Sequence, residues 1–432
     1  MELEKNIPEG WVETSIGELA ELLTDYVANG SFASLKENVT YLRGGEGYAR
    51  LIRLADHNKN YKGEAVFVNE HSYMFLKKSK LYPGDLIISN VGEYSGTLFR
   101  APNLDIPMTL GPNSILMKFG ESDDYMFYFL QGRVGKHLIN TVKSGSANPK
   151  FNKTEFKKIE FIIPPISEQK AIAKVLTAFD DKIELLQAQN KTLETMAQTI
   201  FKEWFGKYQI GDELPEGWRV GEFGEVIEFI NGYAFKSKDL SKEPIDNAYK
   251  VFKMGDINKG GGFKPGKTKG YYPKSMSTKL NKYILKNGDL LMSMTDMKDA
   301  ISLLGHTALM IYEDEYIVNQ RVGLIRAQND LNIQYPYLYL LTNNDDFIAG
   351  IRAAANSGVQ VNLSTQGIKE TEFIIADKET NKAFNNVVMP LFEKRKANSQ
   401  MIKELKKTRD TLLPKLMSGQ VRVNNIKQTA NA

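Results

Sequence analysis

The chain repeats itself. The segment IPEGWVETSIGELAELL at 7–23 returns as LPEGWRVGEFGEVIEFI at 214–230, with Pro8/Pro215, Gly10/Gly217, Trp11/Trp218 and Gly17/Gly224 all offset by 207. Farther on, RLADHNK at 53–59 answers KMGDINK at 253–259, and YPGDLIIS at 82–89 answers KNGDLLMS at 286–293. A duplication on this scale restricts the chain to one domain design used twice, since both halves must satisfy the same pattern of apolar, glycine and turn residues.

Each half then reaches a Ser-Gly turn, SGSANPKF from Ser144 or SGVQVNLS from Ser357, followed by a strand-like run, KKIEFIIPP or KETEFIIAD, and then a helix. The repeating unit is a glycine-punctuated segment of mixed strand and helix, about 160 residues long and so of ordinary domain size. The expected boundaries are a first domain at 1–165, a helical spacer at 166–208, a second domain at 209–376, a second helical spacer at 377–425 and a tail at 426–432.

The helical parts carry a strict period of seven. Leu176, Phe179, Ile183, Leu186, Asn190, Leu193, Ala197, Ile200 and Trp204 alternate by steps of three and four. Adding 212 to each gives Val388, Leu391, Arg395, Asn398, Ile402, Leu405, Arg409, Leu412 and Leu416, an apolar seam broken by three polar residues. Such a seam suits two helices packed on each other, and each runs for about four heptads, longer than an average globular helix. The seam alone does not fix the direction of pairing. Chain economy favours an antiparallel pair, in which Leu176 meets Leu416, Asn190 meets Ile402 and Arg395 meets Ala197. The expected fold is therefore α+β: two repeated mixed β/α domains, each followed by a long helix, with the helices forming an antiparallel coiled coil of pseudo-twofold symmetry. A seam from Leu176 to Trp204 measures about 43 Å at about 1.5 Å per residue, placing the domains at opposite ends of a rod.

Composition narrows the chemistry. The 432 residues contain 42% hydrophobic and 25% charged residues and 15 prolines, which argues for a folded chain rather than a disordered one. There is no cysteine, which excludes disulfides, thiolate metal sites and cysteine nucleophiles and favours a cytoplasmic setting. The four histidines lack metal-ligand spacing, so neither a metal nor a cofactor is expected. The start MELEKNIPEGW is too polar for a signal peptide, and no stretch is long and apolar enough for a membrane span. A net charge of +4 permits an anionic partner without demanding one.

Two similar domains held apart by a stiff spacer suit a long, pseudo-symmetric ligand, and duplex DNA is one. The loops near the repeated glycine turns are rich in side chains that hold phosphates and read base edges. Their candidates are Arg43, Arg53, Lys59, Lys143, Ser146, Asn148 and Lys150 in the first half, and Lys253, Lys259, Lys264, Lys267, Lys269, Asn356, Gln360 and Asn362 in the second.

The order of elements resembles the specificity subunit of a type I restriction-modification system. The resemblance rests on the PEGW motifs at 8–11 and 215–218, the GDL strands at Asp85 and Asp289, and the Ser-Gly turns at 144 and 357. The helix opening IPPISEQKAIAKVLTAFDDKI at 163–183, leading to IFKEWF at 200–205, completes it. In the second half IIADKETNKAF at 374–384 replaces that opening, so a helix that starts less sharply or packs differently against a partner is expected there. The resemblance implies a non-catalytic protein whose two target recognition domains each read half of a bipartite duplex sequence. It also implies recruitment of two adenine methyltransferase subunits and the restriction/translocase subunits.

Two motifs point elsewhere. GGFKPGKT at 261–268 fits the phosphate-loop pattern through Gly261, Gly266, Lys267 and Thr268, but no apolar strand precedes it, and Gly270 and Pro273 break any helix after it. NPKF at 148–151 has Lys150 where an adenine methyltransferase motif has a second proline; a turn leading into the strand at 159–163 is expected instead. A nucleotide-binding protein using Gly261–Thr268 and a coiled-coil protein scaffold are the alternative readings. The matched placement of Trp11 and Trp218 suggests core anchors.

Overall fold

The computed structural model describes residues 7–264, 270–297, 301–355 and 360–423. It divides into two compact units, one formed by the described residues of Met1–Ile183 with those of Glu404–Ala432, the other by Glu184–Lys403. Each unit combines one copy of the repeat with parts of both long helices.

The two copies share the strand order of their four-stranded sheet, while the sheet with the parallel pair has five strands in the first unit and three in the second. In the first unit an antiparallel sheet runs in the order Leu22–Asp25, Ser114–Lys118, Leu86–Ser89, Leu98–Arg100. In the second the order is Ile227–Asn231, Val322–Ala327, Leu290–Ser293, Thr307–Leu309. Each unit also has a sheet containing one parallel pair, Ala49–Ile52 with Met108–Leu110 or Ala248–Phe252 with Tyr316–Val318. The runs before the long helices form strands Glu160–Ile163 and Glu372–Ile375, which pair antiparallel with the opening strands Val12–Ser15 and Arg219–Glu222. The turn at Asn148–Phe151 leads first into a short helix, Lys153–Lys157, capped by Asn152, and only then into the strand.

The repeated motifs are structural clasps. Gly84 and Gly288 have φ of +88° and +92°, a region that side chains with a Cβ resist. The aspartates after them close the turn: Asp85 accepts from Tyr82 N and Asp289 from Lys286 N, both at 2.8 Å. Each carboxylate also takes a cation from the neighbouring strand, Lys118 at 2.9 Å or Arg326 at 2.8 Å. The RLAD and KMGD segments behave alike, with Asp56 accepting from Arg53 N and Asp256 from Lys253 N.

Each long helix spans 40 residues, Ile166–Phe205 and Lys378–Met417. Within each unit they run antiparallel. In the first unit Ile172, Ala173 and Leu176 of one helix share a core with Leu416 and Met417 of the other; in the second, Ala197, Phe201 and Phe205 share one with Phe384, Val388 and Phe392. Of the seam residues, Ile183 and Leu186 are buried, and Phe179, Leu193, Ile200, Leu391, Ile402, Leu405 and Leu412 are half-buried.

The register differs from the sequence expectation. Asn190 meets Asn398 and Ser399, not Ile402: Asn398 Nδ2 donates to Asn190 Oδ1 at 3.0 Å, and Asn190 Nδ2 to Ser399 Oγ at 3.1 Å. Arg395 meets Glu194 at 3.0 Å rather than Ala197. Asp180 pairs with Arg409 in the first unit, so acids on one helix face bases on the other, 14 residues apart along each helix. Polar side chains half-withdrawn from water take each other as partners, and this decides among registers that an apolar seam leaves equivalent. Each ion pair is capped by a tyrosine from its domain. Tyr128 OH donates to Asp180 at 2.8 Å and Tyr339 OH to Glu194 at 2.6 Å.

The second helix starts as sharply as the first. Asp377 Oδ1 accepts from Glu379 N and Thr380 N, both at 2.9 Å, and Trp218 Nε1 donates to Asp377 Oδ2 at 3.0 Å. Asp377 thus caps this helix through its side chain, whereas at the first helix the carbonyl of Pro165 accepts from Glu168 N and Gln169 N. Trp11 is buried and Trp218 half-buried against its core.

Candidate nucleic-acid interface

In the first unit Ser144 and Lys150 bridge each other at the base of the Ser-Gly loop, leaving Ser146, Asn148 and Lys150 exposed. Lys150 also bridges to Val91, and Gly92 N donates to Pro149 O at 2.9 Å. The loop therefore stands beside the hairpin tip that follows the Leu86–Ser89 strand. The second unit repeats this pairing: Thr295–Met297 runs antiparallel to Gln360–Asn362. Lys143 is half-buried beneath the first tip, where a Cβ on Gly96 would lie 3.2 Å from its Nζ. Burial there pushes the Lys143 ammonium below the usual lysine range.

The other candidates divide by location. Arg43 ends the strand Tyr41–Arg43 and is exposed. Arg53 holds Asp56 at 2.7 Å and caps Leu54–Asn58; Lys59, at the far end of that helix, is exposed. Lys253 is half-buried beside Asp256, Lys259 is exposed, and Lys264 N donates to Asp256 O at 2.8 Å. Asn362 is exposed at the end of its strand, and Gln360 is described by its backbone pairing. Lys267, Lys269 and Asn356 lie outside the described residues.

The segment that opens GGFKPGKT does not cradle an anion. Gly260, Gly261 and Gly262 have φ of +78°, +93° and +95°. The amides of Gly262 and Lys264 are engaged by Thr307 O and Asp256 O, both at 2.8 Å, and the next described element is a strand, Tyr271–Pro273. A phosphate loop needs free amides aimed along the start of a helix. Here they close a turn onto the domain itself.

Sequence reasoning missed the hairpin tip at 90–97. One signal was present: the tip follows the GDL strand in both halves but has seven residues from Asn90 to Gly96 against twelve from Met294 to Gly305.

The family model described as "Type I restriction modification DNA specificity domain" matches this chain twice, at residues 8–195 and 215–407. The chain belongs to that family. Like its members, this specificity-family chain is a DNA-recognition component. It is 25% identical over 445 residues to the type I restriction enzyme MjaIX specificity subunit of Methanocaldococcus jannaschii, covering 97% of this chain and 95% of that protein. It is 23% identical over 441 residues to the MjaVIII specificity subunit of the same organism, with the same coverage. The crystal structure of an S subunit from M. genitalium matches with a TM-score of 0.56 at 16% identity, over 96% of this chain and 98% of that one, so the two share a fold.

Proposed function

We propose that this specificity-family chain binds a bipartite duplex DNA target, one half-site per repeated domain. It recruits two methyltransferase subunits, and through them the restriction/translocase subunits, and has no catalytic step of its own. The length of the helix pair sets the gap between half-sites, and the division into the domain boundaries given above belongs to this reading. The observation that supports it best is the duplication of one four-stranded sheet order on two helices whose antiparallel register is held by polar pairs. One design used twice serves a ligand that presents two equivalent sites. The loops Ser144–Lys150 and Gln360–Asn362, with Arg43, Lys59, Lys143, Lys259, Lys264, Lys267, Lys269 and Asn356, are the proposed DNA-facing positions.

Titrating the complex with duplex DNA at several salt concentrations tests this reading. Affinity is expected to fall steeply with salt, and Lys143→Ala or Lys150→Ala should reduce the slope by about one each while leaving sequence preference unchanged. A coiled-coil scaffold would show no salt-dependent affinity for the duplex.

A further inference from the structure

The hairpin tip at 90–97 is rigidly built but chemically unused. Asn90 is clamped to Phe151 by two hydrogen bonds at 3.1 Å, one each way. Ser95 N donates to Gly92 O at 2.9 Å, and Thr97 Oγ1 to Tyr94 O at 2.7 Å. On this frame Tyr94 is 59% exposed, its ring held at the surface. Behind it lies a cleft of about 470 Å³ lined by Glu93, Tyr94, Ser95, Lys136, Asn140 and Lys143 among others. Ser95 is 6% exposed, and its hydroxyl has no hydrogen-bond partner. Among the described residues the side chains of Glu93, Tyr94, Lys136, Asn140 and Lys143 make no hydrogen bond or ion pair either. A buried hydroxyl left unsatisfied costs stability unless something fills the cleft.

The second domain supplies the comparison. Gly305 takes the place of Gly96: φ is +82° against +87°, and a Cβ would meet Ile351 at 3.2 Å or Ile139 at 3.1 Å. The frame is the same, and the segment carried on it differs in length and composition. Two readers of different half-sites require different tips on one scaffold.

We propose that Glu93 and Tyr94 are base-reading residues of the first domain, with Lys136, Asn140 and Lys143 holding the adjoining DNA backbone in the cleft behind them. This rests on the DNA-recognition reading above. A carboxylate accepts from a cytosine amino group, and an exposed aromatic ring contacts base faces or thymine methyls, while the lysines and amide suit phosphates.

The full-length chain, assembled with its methyltransferase subunits, is offered a duplex pool randomised in both half-sites, and the methylated sequences are read. Tyr94→Ala and Glu93→Gln are each expected to relax base preference at one or two adjacent positions of one half-site, on the order of tenfold. The other half-site should stay as in the wild type. Lys143→Ala should weaken binding without changing preference, and the exposed position of Tyr94 means its variant should melt with the wild type. Unchanged preference in both half-sites, with or without weaker binding, overturns the assignment of these two residues. A wild-type chain that selects no sequence overturns the underlying reading as well.

Discussion

Glu315 shows how single residues fasten the second unit together. Burial alone pushes its carboxyl up, but Lys403 at 2.6 Å and Lys250 at 3.4 Å outweigh this and hold it below the usual carboxylate range. A depressed folded-state value stabilises the protein above the unfolded value, near 4.3, and the contribution disappears as pH falls through the folded value. Glu315→Gln should therefore destabilise the protein at pH 7, by about 1 kcal/mol or less because both lysines are partly solvated. The difference should be smaller at pH 3 than at pH 7, because protonating the folded carboxyl removes its attraction to the two lysines. A gap of equal size at both pH values would mean that the substitution acts through packing. At this scale the sequence was legible where a motif recurs: Gly84-Asp85 and Gly288-Asp289 announce one turn twice, and the structure finds the same clasp in both. Arg53 shows the limit. Its composition suits a phosphate contact, yet Asp56 three residues on already holds its guanidinium.

Among the elements, the long helices were the most legible, because a period of seven is a local pattern. Their register was not. Shifting a strictly apolar seam by a heptad restores similar contacts, and only polar partners distinguish the choices. Asn190 and Asn398 are such partners, with Asn398 only 3% exposed. Asn398→Leu should destabilise the protein by about 1–3 kcal/mol, since it strands Asn190 Oδ1 while Asn190 Nδ2 keeps Ser399. Adding Asn190→Leu should recover most of that loss. Chemical denaturation of the two single variants and the double variant gives the coupling; additive losses would show that the two amides do not depend on each other. The pairing of the 90–97 tip with the Ser-Gly loop was hidden for a related reason. Val91 and Lys150 are joined across the fold by a bridge that no local periodicity encodes.

For the whole molecule, the duplication carried most of the information: it called for one topology twice, and the two sheet orders agree strand for strand in the four-stranded sheets. It also separates a shared frame from tips that differ in length and composition between the halves. The central claim is that the helix pair acts as a ruler between two readers. Removing Gln187–Leu193 together with Lys396–Ile402 deletes one heptad from each helix. The deletion takes the Asn190–Asn398 pair but leaves Asp180–Arg409 and Glu194–Arg395 able to re-form. The spacer shortens by about 10.5 Å, which corresponds to about three base pairs. Mapping methylated adenines in cells carrying this variant with its methyltransferase and restriction partners measures the gap directly. The expected result is unchanged half-site sequences with a gap about three base pairs shorter; an unchanged gap would contradict the ruler.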